Sequence, residues 1–154
     1  MKLRRKDRQM TEEFAWSVVD KCEYAVLAMT AEDGGPYCVP ITIVRDGKTI
    51  CFHSAKEGRK ASILRTCPRV CLTCVGDTRM QPEIFSTLYE SAVAFGTVTE
   101  ITDEDEKTAV LRLLCLRHAP EHMAGFPEEV AANLRRTAVW RMNVEEITGK
   151  ANQR

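Results

Sequence analysis

Residues 89–101 read YESAVAFGTVTEI and carry the longest β-strand pattern in the chain. Because successive side chains of a strand point to opposite faces, Ala92, Ala94 and Gly96 share one face of this predicted strand with Val98. A face lined by such small residues permits close approach of another strand or of a flat ring. The glycine also predicts a bend or β-bulge at position 96.

Five further segments complete a predicted sheet of six strands. Apolar, β-branched and turn residues predict strands over residues 24–30, 37–45, 49–53, 69–75 and 138–147. Helices are predicted over residues 11–22, 57–66, 103–118 and 127–135, and a loop over residues 76–88. Most connections between strands are short enough for antiparallel neighbours. The sequence therefore predicts an α+β fold, a six-stranded antiparallel β-barrel with flanking helices, rather than a doubly wound parallel sheet.

The chain of 154 residues has the size and composition of one domain, spanning residues 1–154. Hydrophobic residues at 44% and charged residues at 29% exclude a disordered or low-complexity chain. The 22 basic and 22 acidic residues balance, so no overall electrostatic field attracts nucleic acid or an anionic membrane. The basic start of the chain, about residues 1–9, is interpreted as a solvated tail. The sequence has no recognisable membrane span or signal peptide, which predicts a cytoplasmic protein.

The cysteines and histidines do not form a metal-binding motif. Cys67, Cys71 and Cys74 have a spacing known from iron–sulfur proteins, yet Cys71 and Cys74 are an odd number of positions apart on a predicted strand and so point to opposite faces. The histidines are scattered along the chain, at His53, His118 and His122. We therefore predict no metal site and no structural disulfide, with cysteines packed in a reduced interior.

Residues 52–60, FHSAKEGRK, pass from a predicted strand through a hydroxyl residue into the start of a helix. Free N–H groups at a helix start, the Ser54 hydroxyl and the adjacent cations Arg59 and Lys60 are suited to a phosphate dianion. A surface helix with solvated cations is the alternative interpretation. The segment therefore indicates a candidate phosphate site.

Several motifs follow one another in a characteristic order: the strand residues Val39, Pro40, Ile41 and Thr42, then FHSAKEGRK, then YESAVAFG at 89–96, then Trp140-Arg141 and ITGK at 147–150. Together they span about residues 10–150. They resemble the flavin-binding split barrel of the pyridoxamine 5′-phosphate oxidase superfamily, and most of all its Nim-type nitroimidazole resistance branch. The resemblance implies a homodimer of six-stranded antiparallel split β-barrels with FMN at the subunit interface.

The resemblance also implies roles for individual residues. It implies that Arg59, Lys60 and Ser54 hold the FMN phosphate, and that Trp140 belongs to the cofactor-binding set. It implies that the isoalloxazine ring and ribityl chain lie along Val39, Pro40, Ile41 and Thr42. His53 matches the histidine that faces the flavin and substrate in that branch, where it either steers a proton or an anionic substrate or simply packs against the ring.

These implications predict an FMN-dependent oxidoreductase that reduces a small electrophilic substrate, such as a nitroaromatic of the 5-nitroimidazole type. A nicotinamide nucleotide or another donor would supply the reducing equivalents, although no G-x-G-x-x-G segment opens a helix after a strand. The Arg and Ser set that holds pyridoxine phosphate in vitamin-oxidising members is not found, which argues against the vitamin substrate. The alternative is a carrier or sensor that binds a flavin or haem without turnover, and a deazaflavin in place of FMN stays open.

Overall fold

Eight strands and four helices make up residues 4–153, the part of the chain that this computed structural model describes. The strands are β1 (Gln9–Met10), β2 (Ala25–Thr30), β3 (Pro36–Ile41), β4 (Val44–Asp46), β5 (Thr49–Ala55), β6 (Arg69–Gln81), β7 (Ser86–Ile101) and β8 (Thr137–Asn152). The helices are α1 (Glu12–Lys21), α2 (Arg59–Thr66), α3 (Glu104–His118) and α4 (Phe126–Asn133). The strands pair antiparallel throughout, which confirms the predicted α+β class.

The strand order shows how the sheet closes on itself. Hydrogen-bonded neighbours follow the order β3-β2-β6-β7-β8-β5-β4, and β1 pairs with β8. β3 and β4 therefore lie at opposite ends of the sheet, although only Thr42 and Ile43 separate them in sequence. Since so short a link spans about 10 Å at most, the two ends of the sheet must curl round to meet. The result is a barrel that is split along one seam.

Two parts of the sheet differ from the sequence prediction. The strand predicted over residues 37–45 is interrupted at the seam, and the short β1 is additional, so the described sheet has eight strands rather than six. The loop predicted over residues 76–88 is wrong, because β6 and β7 continue there as a hairpin that turns at Pro82–Ile84. The pairing of β6 with β7 continues beyond the core. Polar residues such as Thr78 and Arg79 lie there, so the sequence lacks the alternation of apolar residues that indicates a strand.

The basic start of the chain is described in part. Residues 1–3 of the predicted tail lie outside the described residues. Lys6–Arg8 form one turn of 3-10 helix, and Gln9 already belongs to β1, where it pairs with Lys150 of β8. The end of the predicted tail is therefore tied to the sheet.

Local hydrogen bonds fix where two of the helices begin. Thr11 Oγ1 accepts the backbone N–H of Phe14 at 3.2 Å and starts α1. The Asp103 carboxylate accepts the backbone N–H of Glu106 at 2.9 Å and starts α3. Within residues 4–153, no helix has the length and apolar character needed to cross a membrane.

Two apolar clusters hold the layers together. The larger lies inside the curled sheet and beneath α1 and α2, and its fully buried members include Leu27, Phe52, Leu72 and Trp140. The smaller lies between the sheet and α3, and is formed by Val44, Cys51, Ile101, Val110, Leu114 and Val139. Burial of each large apolar side chain contributes about 1.5–3 kcal/mol relative to exposure. The two faces of β5 and β8 are therefore both covered, one by each cluster.

The small-residue face of β7 points into the larger cluster. Ala92 and Ala94 are 1% and 2% exposed and belong to the same cluster as Ala15 of α1. On the adjacent strand β8, a Cβ added at Gly149 would lie 3.2 Å from the Cβ of Ala15. The close approach predicted from these small residues is made by helix α1 of the same chain, rather than by a partner strand or a flat ring.

Gly96 lies at a break in the strand ladder. The register of β7 against β8 shifts between Phe95 and Gly96, which confirms the predicted bulge. A Cβ at position 96 would collide with the backbone carbonyl of Asn143 on β8. Only glycine therefore allows β8 to approach this closely.

Candidate cofactor-binding site

The start of helix α2 presents unpaired backbone donors. Gly58 precedes the helix with φ of 126°, a conformation that favours glycine, and no other atom lies within 4 Å of a Cβ added there. No side chain caps the helix, and the first intrahelical bond is the Ser62 N–H to Gly58 carbonyl contact of 3.0 Å. The N–H groups of the first turn therefore remain available to an anion.

Two cations stand on this same turn, in different surroundings. Lys60 is half-buried, and burial lowers the pKa of its ammonium group. Arg59 is exposed, with its guanidinium carbon 4.6 Å from the ring centroid of Tyr37 on β3. Within residues 4–153, neither cation forms an ion pair with a carboxylate. A bound anion would therefore restore the interactions that Lys60 loses on burial.

Ser54, on β5 just before this turn, is held in place by Trp140. The indole Nε1–H of Trp140 donates to Ser54 Oγ at 2.9 Å, and the Ser54 hydroxyl donates to the Ala55 carbonyl at 2.8 Å. Trp140 itself is 1% exposed and packs in the larger cluster. Its ring is also 5.5 Å from the guanidinium of Arg65 on α2. Trp140 thus orients the Ser54 hydroxyl through its indole N–H. Its own ring is buried and has no surface that a ligand could contact.

The four strand residues Val39, Pro40, Ile41 and Thr42 lie at the end of β3 and the beginning of the seam. β3 is an edge strand, bonded to β2 on one side, and Pro40 fits such an edge because it has no N–H to contribute to a ladder. Ile41 is 6% exposed and points into the core, whereas Pro40 and Thr42 are exposed. The free edge of this segment therefore offers backbone groups together with Pro40 and Thr42.

His53 faces away from Ser54, because consecutive residues of β5 point to opposite sides of the strand. Its side chain lines a cavity of about 200 Å³ between β5, α3 and α4. His53 remains exposed as a residue, and partial burial of its ring and, to a lesser extent, the charge of Lys60 lower the pKa of the imidazole. The cavity is otherwise mainly apolar, with Leu111, Leu114, Cys115, Phe126, Glu129, Val130, Asn133, Leu134 and Thr137 around it.

The outer face of the sheet, opposite the larger cluster, is apolar and partly open. Cross-strand pairing aligns Val26 with Thr73, Ala28 with Cys71 and Cys71 with Phe95 on this face. The side chains of Val26, Ala28, Cys71, Val93 and Phe95 are half-buried, and those of Cys38 and Pro40 are exposed. A contiguous apolar surface thus adjoins the edge strand β3.

Sequence reasoning missed several contributors to this region. The sequence indicates only a strand position for Tyr37, which stacks on Arg59, and only a helix position for Arg65, which stacks on Trp140. In α3, Leu111 and Cys115 are four positions apart and share a face, and the pair Phe126 and Val130 does the same in α4. This spacing indicates an apolar surface, but it does not show that His53 lies beside it.

An antiparallel split barrel with an uncapped helix start near the edge strand β3 defines the class of this protein. The chain belongs to the pyridoxamine 5′-phosphate oxidase family, whose model matches residues 11–151. The match covers both the seam and the start of α2, and it confirms the superfamily to which the sequence motifs point. No curated protein matches the sequence.

Solved structures share the fold at low sequence identity. A protein provisionally named as a 5-nitroimidazole antibiotic resistance protein, from Bacteroides thetaiotaomicron, is 24% identical with a TM-score of 0.79, over 93% of this chain and 86% of that one. A flavocytochrome from Azotobacter vinelandii is 21% identical with a TM-score of 0.82, over 99% and 73% of the two chains. An FAD- and haem-binding protein from Mycobacterium smegmatis is 21% identical with a TM-score of 0.76, over 96% and 74%.

Proposed function

We propose that this protein binds FMN and transfers reducing equivalents to a small electrophilic substrate, such as a nitroaromatic of the 5-nitroimidazole type. The observation that carries the proposal is the half-buried Lys60 beside the uncapped first turn of α2, since this arrangement suits a phosphate. Membership of the pyridoxamine 5′-phosphate oxidase family supports a phosphate-bearing cofactor. Of the three solved structures described above, one is named for nitroimidazole resistance and two for flavin or flavocytochrome content.

The residues at the start of α2 fit the FMN phosphate. Lys60 and Arg59 supply positive charge, the first-turn N–H groups supply directional donors, and Ser54 supplies a hydroxyl held in place by Trp140. The ribityl chain and ring would lie along the free edge of β3, where Pro40 and Thr42 are exposed. When bound, FMN supplies the redox chemistry, and the chain binds and orients it.

His53 is the candidate catalytic residue. Its imidazole, whose pKa is lowered, can exchange a proton, and it lines the mainly apolar cavity formed with α3 and α4. A planar, weakly polar molecule suits a cavity with these walls. The imidazole would donate a hydrogen bond to a polar group of the substrate.

We propose a homodimer with the flavin at the subunit interface. The partly open apolar face that includes Val26, Cys71 and Phe95 adjoins β3, so a second copy placed there would bury this surface and cover the free edge. Flavin release should then accompany dilution to monomer, because half of the pocket leaves with the partner. Tight FMN binding by a monomer of proven mass would contradict the dimeric site.

The central test is the content of the purified protein. We expect yellow protein that releases FMN on denaturation, identified by chromatography against FAD and riboflavin standards, and that oxidises NADH or NADPH in the presence of a 5-nitroimidazole. Bound flavin without consumption of either nucleotide would favour a carrier or sensor. Haem bands would favour the haem-binding alternative. Colourless protein that takes up no FMN at micromolar concentration would refute the proposal.

A further inference from the structure

One charged side chain is buried in the interior of the fold. Lys107 of α3 is 6% exposed, and within residues 4–153 it is the one charged residue that is buried. Burial lowers the pKa of its ammonium group, and no carboxylate of residues 4–153 forms an ion pair with it. Because a buried cation costs free energy, its retention depends on the groups that the ammonium contacts.

The ammonium group of Lys107 holds the end of helix α4. Its Nζ donates to the backbone carbonyl of Leu134 at 3.0 Å. Leu134 is the residue that ends α4, and its carbonyl also accepts the backbone N–H of Thr137, the first residue of β8. Carbonyls at the end of a helix carry partial negative charge, which stabilises a cation placed there. Lys107 therefore joins α3 to the corner at which α4 passes into β8.

This corner forms one wall of the cavity that His53 lines. Leu134 lines the cavity together with Leu111 and Cys115 of α3. Leu111 lies four positions after Lys107 and Cys115 lies eight, so the three residues share one face of α3. The hydrogen bond from Lys107 therefore lies between the two helices that enclose the cavity.

Helix α4 is anchored at its two ends. Phe126, at its first position, is 7% exposed and is the one buried residue of the helix. Two side chains bond the carbonyls at the other end. Lys107 reaches Leu134 from α3, and the Thr137 hydroxyl of β8 donates to the Asn133 carbonyl at 3.0 Å. The bond that ties this end of α4 to α3 is therefore that of Lys107.

The cavity between the two helices has the size of one ring. Its volume is about 200 Å³. An apolar cavity of about 150 Å³ admits benzene, so a single ring with small substituents fits here. A fused two-ring molecule needs more room, which a withdrawal of the end of α4 from α3 would supply.

We propose that Lys107 is a positioning residue that fixes the width of the His53 cavity and so restricts its ligands to single-ring molecules. The inference rests on the proposed function in taking this cavity as the substrate site. The residues proposed to hold the FMN phosphate lie at the start of α2 and on β5. Loss of the bond to Leu134 should therefore change the selectivity for rings and leave the flavin content unchanged.

The test compares the affinities of two ligands for the full-length protein, followed through the NMR signals of the His53 ring. The probes are 2-methyl-5-nitroimidazole, which has one ring, and 5-nitroindazole, which has two fused rings. We expect the wild-type protein to bind the one-ring probe at least about tenfold more tightly. In Lys107→Met, which loses the donor but keeps a long side chain, this ratio should fall to about threefold or less. Lys107→Arg keeps a charged donor and should retain the wild-type ratio, and Lys48→Met, at an exposed lysine, is the control.

Each outcome decides the role of Lys107. A loss of stability in Lys107→Met with an unchanged ratio would mean that the residue only stabilises the fold, and would overturn the proposal. Wild-type protein that binds both probes equally, or neither, would also overturn it. If Lys107→Met fails to fold, Lys107→Gln takes its place, because its shorter side chain withdraws the donor from Leu134, and an unchanged ratio there would refute the inference. Flavin content is measured separately on the same samples, so protein without FMN would refute the proposed cofactor while the ratio still tests Lys107.

Discussion

Replacement of Lys60 by alanine is the sharpest test of the phosphate site. Lys60 is half-buried on the first turn of α2 and forms no ion pair within residues 4–153, so a phosphate would be its charged partner. Loss of one charge-assisted hydrogen bond in such a site costs about 1.5–3 kcal/mol, which is roughly ten- to a hundredfold in Kd. Arg59 is exposed and partly engaged with Tyr37, so Arg59→Ala should fall at or below the lower end of this range.

Riboflavin provides the matched ligand, because it has the same ring and ribityl chain without the phosphate. Titration of apoprotein, followed by quenching of flavin fluorescence, should show a loss of affinity for FMN in Lys60→Ala and less than about a twofold change for riboflavin. Lys48→Ala serves as the control, since Lys48 is an exposed cation in the turn at the other end of β5. An equal loss for both ligands, or no loss for either, would place the phosphate elsewhere.

Three other substitutions test the fold and the cavity. Gly96→Ala forces a Cβ into a neighbouring backbone carbonyl and should lower the free energy of unfolding in urea by about 2–4 kcal/mol. Gly125→Ala is the control, because a Cβ there enters open space and should change this free energy by less than about 1 kcal/mol. Similar values for both variants would contradict the bulge. Arg117→Ala removes the donors to three backbone carbonyls and should lower the free energy of unfolding in urea by about 2–4 kcal/mol. Arg112→Ala, an exposed change in the same helix, should lower it by less than about 1 kcal/mol. A urea midpoint of Arg117→Ala equal to that of the wild type would refute this. The lowered pKa of His53 predicts that its imidazole titrates below pH 6.5 by NMR. Because the unfolded chain binds that proton more readily, the free energy of unfolding should fall as the pH drops below 6.5. His53→Gln should remove this part of the pH dependence.

Those parts of the fold that are tied to the core could be predicted from the sequence. The alternation of residues 89–101 predicts most of β7, and the acidic residues 103–106 predict the start of α3, because burial and local electrostatics determine both. The hairpin of residues 76–88 could not be predicted, since its ladder continues where no core imposes a pattern. The interruption after Ile41 was equally hidden, because it is required by closure of the barrel and not by any local residue preference.

The candidate site shows the same division. The turn with Arg59 and Lys60 is contiguous in sequence, so its suitability for an anion could be recognised from residue types alone. His53 and Ser54 are also adjacent, yet they serve opposite faces of β5, and the sequence motif presents them as one unit. Alternation along a strand predicts that they diverge, but only the packing of α3 and α4 shows what His53 meets.

Closure of the seam depends on side chains of α3. The barrel needs residues 42–43 to pass from one edge of the sheet to the other, and the backbone there has left the ladder of β3 before that of β4 begins. A carbonyl so placed in the interior must find a partner, and that of Ile43 receives Arg117 Nη1 at 3.0 Å and contacts His118 Nε2 at 2.8 Å. Because Arg117 also bonds the Cys22 carbonyl, α3 fixes the seam against the end of α1. The link at residues 42–43 is therefore fixed in part by a helix that lies far from it in sequence, and substitutions at the end of α3 should disturb this link before they disturb the start of α2.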